Sequence, residues 1–156
     1  MSSVKPSVGE LAPDFSLEAD DGSTVSRDSL LGERYVLYFY PKDDTPGCTA
    51  QACSLRDNFG RVMDTGIRVF GVSPDSVKSH VKFRAKYDLP YPLLADVGHQ
   101  VADAFGVWVD KKYMGRSYQG VERSSFIVGP DGRIEHVLER VKPMEHVDLV
   151  LEALAA

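Results

Sequence analysis

The chain has 156 residues, 43% hydrophobic and 26% charged, with a net charge of -5 and a sequence pI ≈ 5.3. That length fits one domain able to bury a core, and the acidic balance argues against sequence-independent nucleic-acid binding, which depends on phosphate neutralisation. No apolar run approaches the ~20 residues that span a bilayer, and two cysteines are too few for a disulfide scaffold.

In chain order, Met1-Ser2-Ser3-Val4-Lys5-Pro6 lacks the apolar stretch of a secretory signal, so the expected location is cytoplasmic. Residues 1–8 read as a loose tail. Residues 11–17 alternate in part, and Asp20-Asp21-Gly22-Ser23 is a turn signal before Thr24-Val25, which predicts an N-terminal β-hairpin. Asp28 is placed to cap a short turn ending at Gly32. Residues 34–40 are apolar and aromatic without a breaker, as in a central strand. Pro41 ends that strand, because proline has no N–H for the ladder. Asp43, Asp44 and Thr45 are loop and cap residues, and Thr45-Pro46 has the form of an N-cap followed by proline at the first helical position.

A helical pattern then runs from 46 to about 64. Leu55, Phe59 and Val62 keep 3–4 spacing, and Gly66 is the stop. Residues 67–72 read as a second buried strand. Ser73-Pro74 repeats the cap-and-proline signal before a helix near 75–87. Residues 90–94 are a short extended piece, and 97–105 a short helix. Residues 111–120 are polar and contain glycine, so an exposed loop is expected. Residues 124–128 and 133–138 pair as strands around Gly129-Pro130-Asp131-Gly132. Pro143 opens a last helix through about 154. This order gives an α/β class with a central mixed β-sheet flanked by helices.

Both cysteines lie just beyond the strand at 34–40. Cys48 falls in the first helical turn, where free backbone N–H groups and the positive end of the macrodipole favour an anion. A thiolate is such an anion, and cysteines at helix starts are a recognised reactive class. Cys53 follows five residues later. On an unbroken helix that spacing turns the two side chains about 140° apart and sets their Cα atoms on the order of 8–9 Å apart. A disulfide needs about 4.4–6.8 Å, so a Cys48–Cys53 bond requires the first helical turns to unwind.

Pro41, Thr45 and Cys48 match the pattern P-x-x-x-T-x-x-C, and the chain resembles the peroxiredoxins in this stretch. With Cys53 it is similar to their Q-type subfamily, the bacterioferritin comigratory proteins. The likeness extends from Gly9-Glu10-Leu11-Ala12-Pro13-Asp14-Phe15 to Pro130-Asp131-Gly132-Arg133-Ile134. The resemblance implies a single thioredoxin-like domain over 1–156, acting as a monomer. It implies thiol-dependent reduction of hydrogen peroxide and organic hydroperoxides, with Cys48 as the peroxidatic cysteine. Cys48 passes through a sulfenic acid to an intrachain disulfide with Cys53, which thioredoxin or a similar dithiol recycles. No metal, haem, flavin or nicotinamide is required.

An acidic thiol is also a weaker nucleophile, so a fast peroxidase must stabilise charge on the leaving oxygen with preorganised donors. The candidates are the Thr45 hydroxyl, the N–H groups near Gly47 and Cys48, and Arg123. Arg123 stands in Glu122-Arg123-Ser124-Ser125-Phe126 and matches the family's active-site arginine. A guanidinium can hold the thiolate and the peroxide oxygens together, which a lysine point charge does less well. Pro41 takes a shielding role by resemblance.

Plainer readings stand beside these. Cys53 as a core cysteine, Thr45 as a mere N-cap and Arg123 as a surface partner of Glu122 or Asp131 need no catalysis. His80, His99, His136 and His146 show no ligand spacing and read as solvated or packing residues. C-x4-C without a second pair does not make a structural zinc site. Tyr113, Met114 and Tyr118 form either an apolar rim for substrate or reductase, or a plain surface loop. The rival enzyme is a thioredoxin-like disulfide reductase, disfavoured because such enzymes use C-x-x-C. The rival of another class is a redox-sensing binding protein, which peroxide turnover distinguishes.

Overall fold

The computed structural model describes residues 4–155. The hairpin expected near the start is β1 (Ser16–Ala19) with β2 (Thr24–Ser26), followed by a short 3-10 turn at Asp28–Leu30. Then come β3 (Tyr35–Phe39), α1 (Pro46–Asp57), α2 (Phe59–Met63), β4 (Arg68–Ser73), α3 (Val77–Tyr87), β5 (Leu93–Ala95) and α4 (Gln100–Ala104). The remaining elements are β6 (Trp108–Tyr113), β7 (Arg116–Val121), β8 (Ser124–Val128), β9 (Ile134–Leu138) and α5 (His146–Ala155).

Seven strands form one sheet in the order β2-β1-β5-β4-β3-β8-β9. β3, β4 and β5 run parallel, and β8 lies antiparallel to β3. The sheet is therefore mixed, with β3 in its interior beside the middle strand β4, in the thioredoxin-like α/β arrangement. The unbroken apolar run at 35–40 has its reason here, since a strand covered on both faces needs no polar side. Tyr35, Leu37 and Phe39 enter one core with Phe15, Phe70, Phe105 and Phe126. Val36, Tyr38 and Tyr40 enter the other, against α1, α3 and α5 through Cys48, Leu55, Phe83 and Val150. Gly71 sits opposite Tyr38 on β4, and a Cβ there would lie 2.9 Å from the Tyr38 ring and hydroxyl. Its missing side chain is what lets the ring lie over the strand.

Several expectations shift. The helix from 46 to about 64 is two helices, broken at Asn58, whose side chain bonds the Ser54 carbonyl at 2.9 Å. Such local competition is why asparagine interrupts helices. Ser76, and not Ser73, caps α3 by accepting from the Ser79 N–H at 3.1 Å. The last helix begins at His146, after a turn that includes Pro143. The stretch 111–120 is not a loop. It forms most of the β6–β7 hairpin, with Lys111 opposite Tyr118 and Tyr113 opposite Arg116. Its two-residue turn, Met114 at φ 49° and Gly115 at φ 79°, supplies the positive angles such hairpins need.

The expected loose tail falls partly on residues 1–3, which lie outside the described residues. Within residues 4–8, Val4 and Val8 are exposed while Lys5 is anchored and Pro6 is buried. Lys5 Nζ pairs with Glu122 at 2.8 Å and Glu139 at 3.5 Å. The segment also crosses Gly106, at φ 71°, where a Cβ would sit 2.5 Å from the Lys5 nitrogen.

Candidate active site

The loop between β3 and α1 delivers the cysteine. β3 ends between β4 and β8, Tyr40 N–H still donates to the Val72 carbonyl at 3.0 Å, and Pro41 stops the pairing. Thr45 takes the N-cap position with extended backbone (φ -95°, ψ 155°), and Pro46 opens the helix. Its hydroxyl does not cap. It donates back to the Lys42 carbonyl at 2.8 Å, while its own carbonyl accepts from Thr49 N–H at 2.8 Å. Cys48 is third in the helix and only 3% exposed.

Arg123 reaches it from the other side of the fold. It lies between β7 and β8, next to the central strand pair, so its place 75 residues downstream is set by sheet topology. Nη2 lies 3.4 Å from Cys48 Sγ, a permanent positive charge set against the sulfur. A Cβ on Gly47 would sit 3.2 Å from Nη2 and 3.5 Å from Pro143, so the glycine is what lets the guanidinium pass. Arg123 meets Gln51 and Cys48, where the plain reading had set it against Glu122 or Asp131, and Glu122 pairs instead with Lys5.

Sequence reasoning missed Gln51. It is fully buried, and its Oε1 accepts from Arg123 Nη1 at 2.5 Å. A guanidinium offers only donors, so the amide oxygen must face it. One helical turn after Cys48, Gln51 fixes one arm of the guanidinium while the other faces the sulfur. The available signal was a polar residue three positions after Cys48, on the same helix face.

Lys111 adds a second cation. Its stem packs beside Gly120, and burial first, then Arg123, hold its pKa below the ordinary lysine value, with Cys48 and Glu122 opposing. The Tyr38 phenol is pushed up, chiefly by burial, then by Tyr91 and Tyr40, with Cys48 a lesser cause. His146 is wholly buried, its Nε2 2.7 Å from Ser125 Oγ and its ring 5.2 Å from that of Tyr38. Burial, with Arg123 nearby, lowers its pKa to about 3, so it stays neutral beside the guanidinium.

Of the residues singled out from sequence, the structure brings Cys48 and Arg123 into contact. Thr45 and Pro41 flank the same loop, with Thr45 turned toward Lys42 and Pro41 half-buried. Cys53 is a free, half-buried thiol on the same unbroken helix as Cys48.

The sequence matches the AhpC/TSA family over residues 8–137. It is 46% identical over 147 residues to a putative peroxiredoxin bcp of Coxiella burnetii, covering 94% of this chain and 97% of that one. It is 45% identical over 146 residues to peroxiredoxin Bcp of Escherichia coli strain K12, covering 94% of each. A solved structure of the Xanthomonas campestris bacterioferritin comigratory protein, described for its alkyl peroxide reduction activity, superposes with a TM-score of 0.87. The two are 35% identical, covering 96% of this chain and 98% of that one. The chain belongs to the AhpC/TSA family. Within it, the protein is a thiol-dependent peroxidase of the Bcp, or Q-type, peroxiredoxins.

Proposed function

We propose that Cys48 is the peroxidatic residue, and the observation that carries this is the 3.4 Å approach of Arg123 Nη2 to its sulfur in the first turn of α1. The thiolate attacks one peroxide oxygen. The O–O bond breaks, Cys48 becomes a sulfenic acid, and the departing oxygen takes a proton to leave as water or an alcohol. Arg123, held by Gln51, stabilises charge passing to that oxygen. The Thr45 hydroxyl serves the same end after turning away from Lys42, and Pro41 limits water around the thiolate.

Cys53 thiol then attacks the sulfenic sulfur, expelling water and forming the Cys48–Cys53 disulfide. Since α1 runs unbroken through both positions, their Cα atoms are on the order of 8–9 Å apart and the first turns must open. A dithiol of the thioredoxin kind takes up the two oxidising equivalents and restores both thiols. Hydrogen peroxide and organic hydroperoxides are the substrates.

We further propose a monomeric, single-domain enzyme of the cytoplasm, working without membrane or nucleic acid. The net charge of -5 supports the last point, and among the described residues no helix is long and apolar enough to cross a membrane.

Mass spectrometry after one equivalent of peroxide tests the cycle. The expected product has lost two hydrogens and carries a 48–53 crosslink. Cys53→Ser should stop at the sulfenic acid or its adducts, and Cys48→Ser should leave the protein unoxidised. An unchanged mass in the parent would overturn the reading.

A further inference from the structure

A buried polar network lies just upstream of the site, and the cycle above makes no use of it. Asp43, in the loop before Thr45, is 8% exposed, and His80 on α3 is fully buried. Asp43 Oδ2 lies 2.7 Å from His80 Nδ1 and accepts from Ser79 Oγ at 2.8 Å, while Oδ1 accepts from Tyr40 hydroxyl at 2.6 Å. His80 Nε2 lies 2.9 Å from the Leu94 carbonyl. Both ring nitrogens thus face oxygen atoms, Nδ1 the Asp43 carboxylate and Nε2 the Leu94 carbonyl. Around this pair, Asp43 N–H donates to Asp75 at 2.8 Å, and Asp75 accepts from Ser73 at 2.6 Å. Asp44 joins the same helix from outside, to Lys86 and Tyr87 at 2.7 Å each. The loop is fastened to α3 by two consecutive aspartates.

This loop is where the chain must bend when α1 opens. A folded first turn keeps Cys48 against Arg123, and an opened one frees it for Cys53. Whatever holds the loop down favours the folded arrangement. We propose that His80, acting through Asp43, is a positioning residue. It pins the upstream end of the peroxidatic turn and so sets how the Cys48 sulfenic acid divides between two fates. In the first, Cys53 thiol attacks, giving the disulfide and water. In the second, the sulfenate sulfur attacks a further hydroperoxide before the turn opens. Its O–O bond breaks, one oxygen goes to sulfur to give the sulfinic acid, and the other leaves as alcohol or water. A weaker latch opens the turn more often and favours the disulfide. The proposal rests on the peroxidase reading and assigns that cycle a residue outside the site.

Two amides separate a latch from general stability. In His80→Asn the side-chain N–H₂ stands where Nδ1 does and keeps the bond to Asp43. In His80→Gln it stands where Nε2 does and keeps only the bond to Leu94. Each variant is cycled with excess hydroperoxide and a dithiol donor, sulfinic acid per turnover is read by mass spectrometry, and Tm is measured beside it. A charge-assisted buried bond is worth about a tenfold shift in an opening equilibrium. His80→Gln should therefore lower sulfinate per turnover about tenfold, and His80→Asn should stay within about twofold of the parent, although both lose Tm. Asp43→Asn, which removes the charge, should follow His80→Gln and serves in its place should that variant fail to fold. Equal shifts in both histidine variants, or none in His80→Gln, overturn the latch. A parent that forms no disulfide at all overturns the peroxidase reading itself.

Discussion

Upstream of Cys48 the chain is fastened by side chains of other elements; downstream it is fastened mainly by its own helix. Residues 40–45 meet α3 through Asp43, Asp44 and the buried imidazole of His80. Residues 49–57 carry an α-helical backbone ladder, with outside ties at Gln51 to Arg123, Ala52 to Tyr91 and Arg56 to Tyr87. A helix's first four N–H groups have no partner within it, so its first turn is the weakest part of that ladder. Opening therefore belongs between Thr45 and Gln51, with a fixed support on one side and a fraying end on the other.

Several experiments break or sharpen this contrast. The largest effect is expected at the sulfur, where Cys48→Ser should abolish peroxide consumption in a coupled dithiol assay. Next is Arg123→Lys, which keeps a charge but loses the fork that reaches both Gln51 and Sγ. A drop in kcat/KM of about 10²-fold is expected, and a loss below about threefold would remove the guanidinium from the mechanism. Gln51→Ala should follow at about tenfold, the worth of a hydrogen bond to a charged group. Its effect should vanish in an Arg123→Ala background, because the amide acts only through that arginine.

Acid titration tests the support beneath α5. His146 has its pKa lowered from 6.5 to about 3 by burial and by Arg123. The unfolded chain therefore binds a proton there that the folded one refuses. Stability should be full above pH 6.5 and decline as pH falls toward 3. The slope from this group reaches about 1.4 kcal/mol per pH unit. Urea melts of His146→Gln across that range should show a flatter decline. The smallest change is expected from Gly47→Ala, whose Cβ would press Arg123 Nη2 from 3.2 Å. A few-fold loss in kcat/KM with Tm within a few degrees is the expected outcome.

Much of this was legible along the chain. The strand at 34–40, the stop at Pro41 and the helix start at Thr45-Pro46 follow from local chemistry, and they place Cys48. Arg123 was legible only by resemblance, since no spacing rule brings residue 123 to residue 48. Gln51 was hidden because its partner is distant in sequence. Asp43 and His80 are separated by 37 positions, and each alone reads as a loop aspartate and a stray histidine. The β6–β7 hairpin escaped because Asp110, Lys111, Lys112, Arg116, Ser117 and Gln119 blur the period-two apolar signal. Its Met114-Gly115 turn also lacks the asparagine or aspartate that usually announces such a bend.

The crossing at Gly106 has a practical consequence. Lys5 is pressed against that glycine and reaches Glu122, the residue before Arg123. A purification handle at the front of the chain thus hangs from a strap attached to the neighbour of Arg123. Kinetic constants should be compared before and after such a handle is cut off, and a Gly106→Ala protein should behave like one whose strap has been released.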